Sequence, residues 1–221
     1  MNDYKLHQGD CLDIMSTFKD KEFDLCLTDP PYGIIQDLES YQDWGVAKQL
    51  DYEKVEWDET PLSSEQLQEI IRVSENQIIF GGNHFHTILP QSRGWYIWDK
   101  RVGIPSNNFS DAELIWSSFN RQVRTFHHKW VGFIRDSEKG RERVHPTQKP
   151  VKLMEWLLDS VKDIKTVVDP FIGSGTTMFA CQNRRLDCTG IEISPHYCDI
   201  VEKRCFTRTF LDRKVSYNSC R

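Results

Sequence analysis

Along the chain, short apolar runs of strand length alternate with segments whose apolar positions recur at helical spacing. Phe23-Asp24-Leu25-Cys26-Leu27-Thr28 reads as a strand, stopped by Pro30-Pro31. Ser63 to Asn76 reads as a helix. Ser63 and Gln66 have capping-box spacing, and Leu67, Ile70, Ile71 and Ser74 mark one face. Gln77-Ile78-Ile79-Phe80 is a buried strand ending at Gly81-Gly82, and Trp95–Trp98 and Ala112–Trp116 are further strands. In the last third the alternation is regular. Val151–Val161 is a helix, Thr166–Val168 a strand, Thr176–Asn183 a helix and Cys188–Ile191 a strand. Ser194-Pro195 then opens a final helix, with Ser as cap and Pro in the first turn. Strand–helix alternation of this kind predicts an α/β fold with a mostly parallel twisted sheet and helices on both faces.

Two segments break the pattern. Gly33–Pro61 is acidic and aromatic with weak periodicity, and residues 99–147 are similarly irregular. Long irregular segments inside a domain are usually functional. At 221 residues the chain is long enough for one large domain. No apolar run has bilayer-spanning length, and the first residues lack a signal-like apolar core, so neither a membrane nor a secreted setting is expected. Seven cysteines without a CxxC pair read as reduced thiols of a cytoplasmic protein. The net charge of −5 speaks against a polyanionic partner, but its distribution does not. Residues 1–75 carry 6 basic against 18 acidic side chains, whereas residues 121–150 carry 8 against 3. That basic stretch is either a polyanion contact or a solvated loop.

Two motifs carry chemistry. Asp29-Pro30-Pro31-Tyr32 ends an apolar strand, where open α/β sheets bind ligands. The prolines fix the backbone and leave a rigid carbonyl between a carboxylate and an aromatic ring. Asp29 and the Pro30 carbonyl can each accept one N–H of an exocyclic amine, and Tyr32 can stack on its ring. The plain alternative is a turn in which Asp29 caps a backbone N–H. The second motif, Asp169-Pro170-Phe171-Ile172-Gly173-Ser174-Gly175-Thr176, joins a strand to a helix. Its glycines admit a ligand close to the backbone, and the helix start favours an anion. It is neither GxGxxG nor a Walker sequence. Glu192, at the end of the next strand, sits where an acidic side chain accepts hydrogen bonds from ribose hydroxyls.

Together, Thr28-Asp-Pro-Pro-Tyr-Gly33 and Asp169–Thr177 resemble the DNA amino-methyltransferases that use S-adenosyl-L-methionine. DPPY precedes FxGxG here, as in the circularly permuted β group of that family. His145-Pro-Thr-Gln-Lys-Pro150 resembles that group's HPxxKP segment, and Gly9-Asp10-Cys11-Leu12 its N-terminal segment. Trp98-Asp99-Lys100 and Phe109–Glu113 are less specific matches. The resemblance implies a Rossmann-like class I methyltransferase fold, with residues 1–221 as a single catalytic domain. It implies that Asp169, Phe171, Gly173, Ser174 and Gly175 line the methionine part of the cofactor and that Glu192 binds its ribose. Asp10 and Cys11 would lie beside its adenine, and Thr147, Gln148 and Lys149 would hold its carboxylate end. Asp29, Pro30, Pro31 and Tyr32 would hold the target base, flipped out of the duplex. Asp at the first of these four positions is usual for adenine enzymes, whereas cytosine-N4 enzymes more often have Ser.

The resemblance also places target recognition between the two halves, in a short insert at 101–145. There Arg121, Arg124, Lys129, Arg135, Lys139, Arg141 and Arg143 are the phosphate contacts expected for DNA. No metal is expected, because His84/His86 and His127/His128 lack companion ligands at typical spacing. A homodimer is left open by so small a recognition region. The competing readings are a cytosine-N4 or RNA methyltransferase, a nicotinamide-dependent oxidoreductase, and a catalytically silent DNA-binding subunit. A protein-glutamine methyltransferase would carry Asn at position 29.

Overall fold

The protein is described from a computed structural model covering residues 2–33, 60–140, 144–145 and 147–206. Among these, eight strands form one sheet, in the order β1 (Tyr4–Gln8), β10 (Asp187–Glu192), β9 (Thr166–Asp169), β2 (Phe23–Thr28), β3 (Ser74–Phe80), β5 (Ala112–Ser117), β4 (Gly94–Asp99), β6 (Arg124–His127). Every pairing is parallel except those that β5 makes with β3 and β4. A separate hairpin joins β7 (Trp130–Val131) to β8 (Ile134–Arg135).

The central strands are buried on both faces, so period-two alternation sends their side chains to two cores. Leu25, Leu27, Ile78, Phe80 and Val167 pack on one side with α3 (Val151–Asp159), α4 (Thr176–Arg184) and α5 (Pro195–Val201). Cys26, Ile79 and Val168 pack on the other with α1 (Cys11–Met15) and α2 (Ser64–Val73). This is the Rossmann-like arrangement expected from the strand–helix alternation. The six cysteines among the described residues are buried. No helix of the described residues is long and apolar enough to cross a membrane.

Chain order and sheet order diverge between β2 and β9. β2 leads through α2 to β3 on one side, and β9 leads through α4 to β10 on the other, over the opposite face. The carboxyl ends of β2 and β9 therefore open a crevice, the usual ligand position in such sheets. The seam is clamped at both ends. Asp24 Oδ2 accepts from the backbone N–H groups of Lys165 (2.7 Å) and Thr166 (2.9 Å), and the Thr28 hydroxyl donates to Asp169 Oδ1 at 2.7 Å.

Several elements depart from the sequence expectation. α2 stops at Val73, and Ser74 is already extended and paired with Phe23. The Ser74 hydroxyl donates to the Ile70 carbonyl at 2.6 Å and Lys21 Nζ to the Ile71 carbonyl at 2.7 Å, satisfying the helix end. The interval 101–145 is not one recognition insert, since it contributes β5 and β6 to the main sheet. The Gly33–Pro61 segment lies mostly outside the described residues, as do Arg141, Arg143 and Pro146.

Candidate active site

Both motifs follow strands that end at the crevice, and Asp29, Pro31, Asp169 and Phe171 line one cleft of about 350 Å³. Gly9, Asp10, Cys11, His145, Thr147, Gln148, Lys149, Gly173, Ser174 and Glu192 line it as well.

On the β9–β10 side the geometry is set by backbone contacts. The Phe171 N–H donates to Asp169 Oδ1 (3.1 Å) and the Gly173 N–H to Glu192 Oε2 (2.9 Å), while Glu192 Oε1 accepts from the Ser194 N–H (2.9 Å). Each Glu192 oxygen keeps a further acceptor position. Burial pushes Glu192 up to about 6, against the pull of the Ser194 and Gly173 N–H groups. Burial likewise raises Asp169, 2% exposed, to about 6, although Thr177 and Thr28 hydroxyls favour its charged form. Gly175 caps α4 in the left-handed region at φ +80°, where a Cβ would lie 3.2 Å from Val201 and Cys205. Arg204 donates to the Ser174 carbonyl (3.0 Å) and hydroxyl (3.1 Å), which turns that side chain toward the protein. Asp10 caps α1 by accepting from the Leu12 N–H at 2.8 Å, and Cys11 is buried against Gln66.

On the β2 side the Tyr32 hydroxyl donates to Asp29 Oδ1 at 2.6 Å and Lys149 Nζ lies 2.7 Å from Asp29 Oδ2. Pro30 is buried, and its carbonyl accepts no hydrogen bond among the described residues. Burial raises Asp29 above the usual carboxylate range, with Lys149 opposing the shift. Residues that the sequence reading did not place at the site complete this pocket. The His84 ring stacks on Tyr32 with centroids 4.9 Å apart. Gly81, at φ +67°, leaves room for Tyr32, whose ring carbon would lie 2.4 Å from a Cβ there. The signal for Gly81 was its place at the end of β3, but only the fold shows which ring it admits.

The 145–149 segment divides its work. His145 is driven down to about 3 by burial and then by Lys149, and its Nδ1 accepts from the Thr147 N–H (3.2 Å). Neutral His145 therefore carries its proton on Nε2. Gln148 is structural through its side chain, accepting from the Val144 N–H (3.1 Å) and donating to Glu138 (3.3 Å). Lys149 lines the cleft, but its ammonium is directed at carboxylates of the protein.

The basic stretch does not gather at the cleft. Arg121 donates to the Ser160 carbonyl (2.7 Å) and the Tyr96 hydroxyl (3.1 Å) and stacks on Phe119 (4.1 Å). Ser160 caps the end of α3, which leads toward the start of β9, so Arg121 belongs to the amino-end rim and is withdrawn as a phosphate contact. Arg124 is exposed but opens β6 opposite Tyr96, away from its carboxyl end. Lys129, Arg135 and Lys139 follow β6 on the carboxyl side. Arg135 sits over the Trp130 ring, Lys139 is exposed, and Phe133 at the hairpin tip is 89% exposed.

A family model described as DNA methylase, covering N6 and N4 enzymes, matches residues 98–203. The type II methyltransferase M.HpaI of Haemophilus parainfluenzae is 25% identical over 91% of this chain and 74% of its own length. M.HinfI of Haemophilus influenzae is 26% identical over 89% of this chain and 67% of its own. Among solved structures, TTHA0409 of Thermus thermophilus complexed with S-adenosyl-L-methionine superposes with a TM-score of 0.61 at 18% identity, covering 99% of each chain. The cytosine-N4-specific PvuII DNA methyltransferase superposes with a TM-score of 0.59 at 15% identity, covering 98% of this chain and 89% of its own. In motif order and crevice geometry the chain is similar to these DNA methylases of the N6 and N4 amino-methyltransferase kind.

Proposed function

We propose that this chain transfers a methyl group from S-adenosyl-L-methionine to the N6 amine of adenine in DNA, with the base turned out of the stack. The reading rests on Asp29 and the Phe171 turn sharing one cleft at the β2–β9 switch point. The residues present fit such a donor. Glu192 keeps open acceptor positions for ribose hydroxyls, Asp10 and Cys11 stand at the adenine end, and the Phe171–Gly175 turn sits at the start of α4 for the methionine part. Thr147 is left for the carboxylate end, since the Gln148 side chain is held by Val144 and Glu138.

When bound, the donor supplies an electrophilic methyl group on a sulfonium. The protein's own residues act on the acceptor. An aromatic amine is a weak nucleophile because its lone pair is delocalised into the ring. The Asp29 carboxylate and the Pro30 carbonyl accept its two N–H bonds, draw the nitrogen toward tetrahedral geometry and stabilise the positive charge that grows on it. Tyr32, fixed through its hydroxyl, holds the base plane, and the shared cleft brings amine and methyl into line. Asp rather than Ser at position 29 favours adenine over cytosine. Lys129, Arg135 and Lys139 are the phosphate contacts left by the geometry.

The test is transfer of isotopically labelled methyl to duplex DNA, followed by nucleoside mass analysis. N6-methyladenine is expected. N4-methylcytosine would overturn the base assignment, and unlabelled DNA the activity. D29A should lower transfer by about 100- to 1,000-fold while calorimetric binding of the donor survives. Retained turnover would remove Asp29 from this role.

A further inference from the structure

The HPxxKP resemblance assigns Lys149 to the donor's carboxylate end, but the structure puts its ammonium elsewhere. Lys149 is 6% exposed. Its Nζ lies 2.7 Å from Asp29 Oδ2 and 3.3 Å from Glu113 Oε2, and Glu113 Oε1 lies 3.1 Å from Lys100 Nζ. Two carboxylates and two ammoniums thus alternate from the base pocket into β5 and the end of β4. Lys149 is aimed by its neighbours. The Gln148 carbonyl accepts from the Trp130 indole N–H (2.9 Å), Pro150 follows in the chain, and the ammonium passes over the Phe80 and Tyr32 rings at 5.3 and 5.6 Å.

We propose that Lys149 and Glu113 are positioning residues of the base pocket: the Lys149 ammonium keeps the Asp29 carboxylate ionised and turned toward the target amine, and Glu113 fixes that ammonium in place. This deepens the methyl-transfer reading and rests on it. A protonated Asp29 would carry its own hydrogen on one of the oxygens that must accept. The groups that face Asp29 are Tyr32 from its own segment, Lys149 from the stretch before α3, Glu113 from β5 and Asp169 from β9. Burial, Glu113 and Asp169 act against its charge, and Lys149 is the cation that acts for it. Glu113 has a second effect through Lys149, since it shares the ammonium and fixes its position. Removing the cation leaves carboxylates facing one another in a buried site, which the protein relieves by protonating one of them.

The two partners therefore move the pH profile in opposite directions. In K149M the acidic limb of the single-turnover rate moves up by at least about one pH unit, so at a pH on that limb the rate falls roughly tenfold or more and recovers as pH rises. In E113Q a repelling charge is lost and the limb moves down. K149R restores the limb toward wild type. The KM for S-adenosyl-L-methionine stays within about twofold in K149M, since the ammonium does not serve the donor. A raised KM with an unmoved limb would return Lys149 to the donor and overturn the proposal. So would equal shifts of one sign in both variants. The titration of Asp29, read by 13C-carboxyl NMR and identified by its loss in D29N, reports the same shifts without turnover. Should K149M not fold, K149R and E113Q carry the comparison by this route. Should the wild type not methylate DNA, the function fails, while the NMR shifts still decide whether Lys149 governs Asp29.

Discussion

The rim at β9 and β10 and the basic interval at 121–140 follow opposite rules. On the rim, side chains are fixed mostly by backbone groups two residues away, and Glu192 also holds the turn that follows the neighbouring strand. Asp169 holds the Phe171 N–H, Glu192 holds those of Gly173 and Ser194, and Asp10 holds Leu12. Most of these contacts are local, and the long one joins the ends of adjacent strands, so the motif predicts the place. In the basic interval the charges share a stretch of chain and little else. Arg121 is folded inward at the amino-end rim, Arg124 is exposed at the start of β6, Arg135 lies on Trp130, and Lys139 faces solvent. A run of like charge fixes a composition, whereas a turn between a strand and a helix fixes a location.

The sharpest break of the ordered side is at Gly81. Its φ of +67° already disfavours a side chain, and a Cβ would meet the Tyr32 ring at 2.4 Å. Strand β3 cannot yield, because Ile78, Ile79 and Phe80 are buried in the two cores. The ring must move instead, carrying the hydroxyl that holds Asp29. A displacement of about 1 Å at such a site lowers rate by roughly 100-fold. G81A should therefore lose about that much methyl transfer while donor affinity, measured by calorimetry, holds. A loss of donor affinity equal to the loss of rate would show that the two halves of the cleft are not separable.

The same contrast explains what was legible in the sequence. The core strands were readable because apolar runs such as Leu25–Leu27 and Ile78–Phe80 are buried on both faces. The capping box at Ser63 and Gln66 forms as its spacing predicts. The end of α2 was not readable. Its apolar face continues to Ser74, and what stops it is Lys21, some fifty residues earlier in the chain, bonded to the Ile71 and Ser74 carbonyls. β1 was missed because its five residues, Tyr4-Lys5-Leu6-His7-Gln8, carry only weak alternation and gain their place by pairing with β10. β6 to β8 were hidden for a similar reason, being short and polar. In the site, Asp29 and Glu192 were local patterns. The Lys149–Glu113 contact joins residues 36 positions apart, and no periodicity encodes it.

A smaller effect tests whether the rim holds its geometry at the expense of stability. Asp169 is raised from 3.8 to about 6 by burial. A folded value above the unfolded one means that the protonated form is favoured in the fold. Stability from this group is complete below about pH 4 and is lost as pH rises through 6. At pH 7 the ionised group costs on the order of 3 kcal/mol. D169N keeps the Oδ1 acceptor for Thr28 and Phe171 without the charge. Its melting temperature should gain on wild type as pH rises from 4 to 7 and level off above. A pH-independent difference would show that burial is not what raises Asp169.

The smallest effect separates true phosphate contacts from charges that only share their stretch of chain. If Lys139 touches a phosphate, K139Q releases one fewer counterion, and the slope of log affinity against log salt falls in magnitude by about 1. R121Q should leave that slope unchanged, because Arg121 serves the Ser160 carbonyl and the Tyr96 hydroxyl inside the fold. It should instead lower the melting temperature, since a charge-assisted donor to partly buried acceptors is worth about 1.5–3 kcal/mol. Filter-binding titrations of both variants over roughly 50–300 mM salt give the comparison directly. A slope that drops equally in both would return Arg121 to the DNA surface and remove the distinction between charge run and location on which the recognition assignment stands.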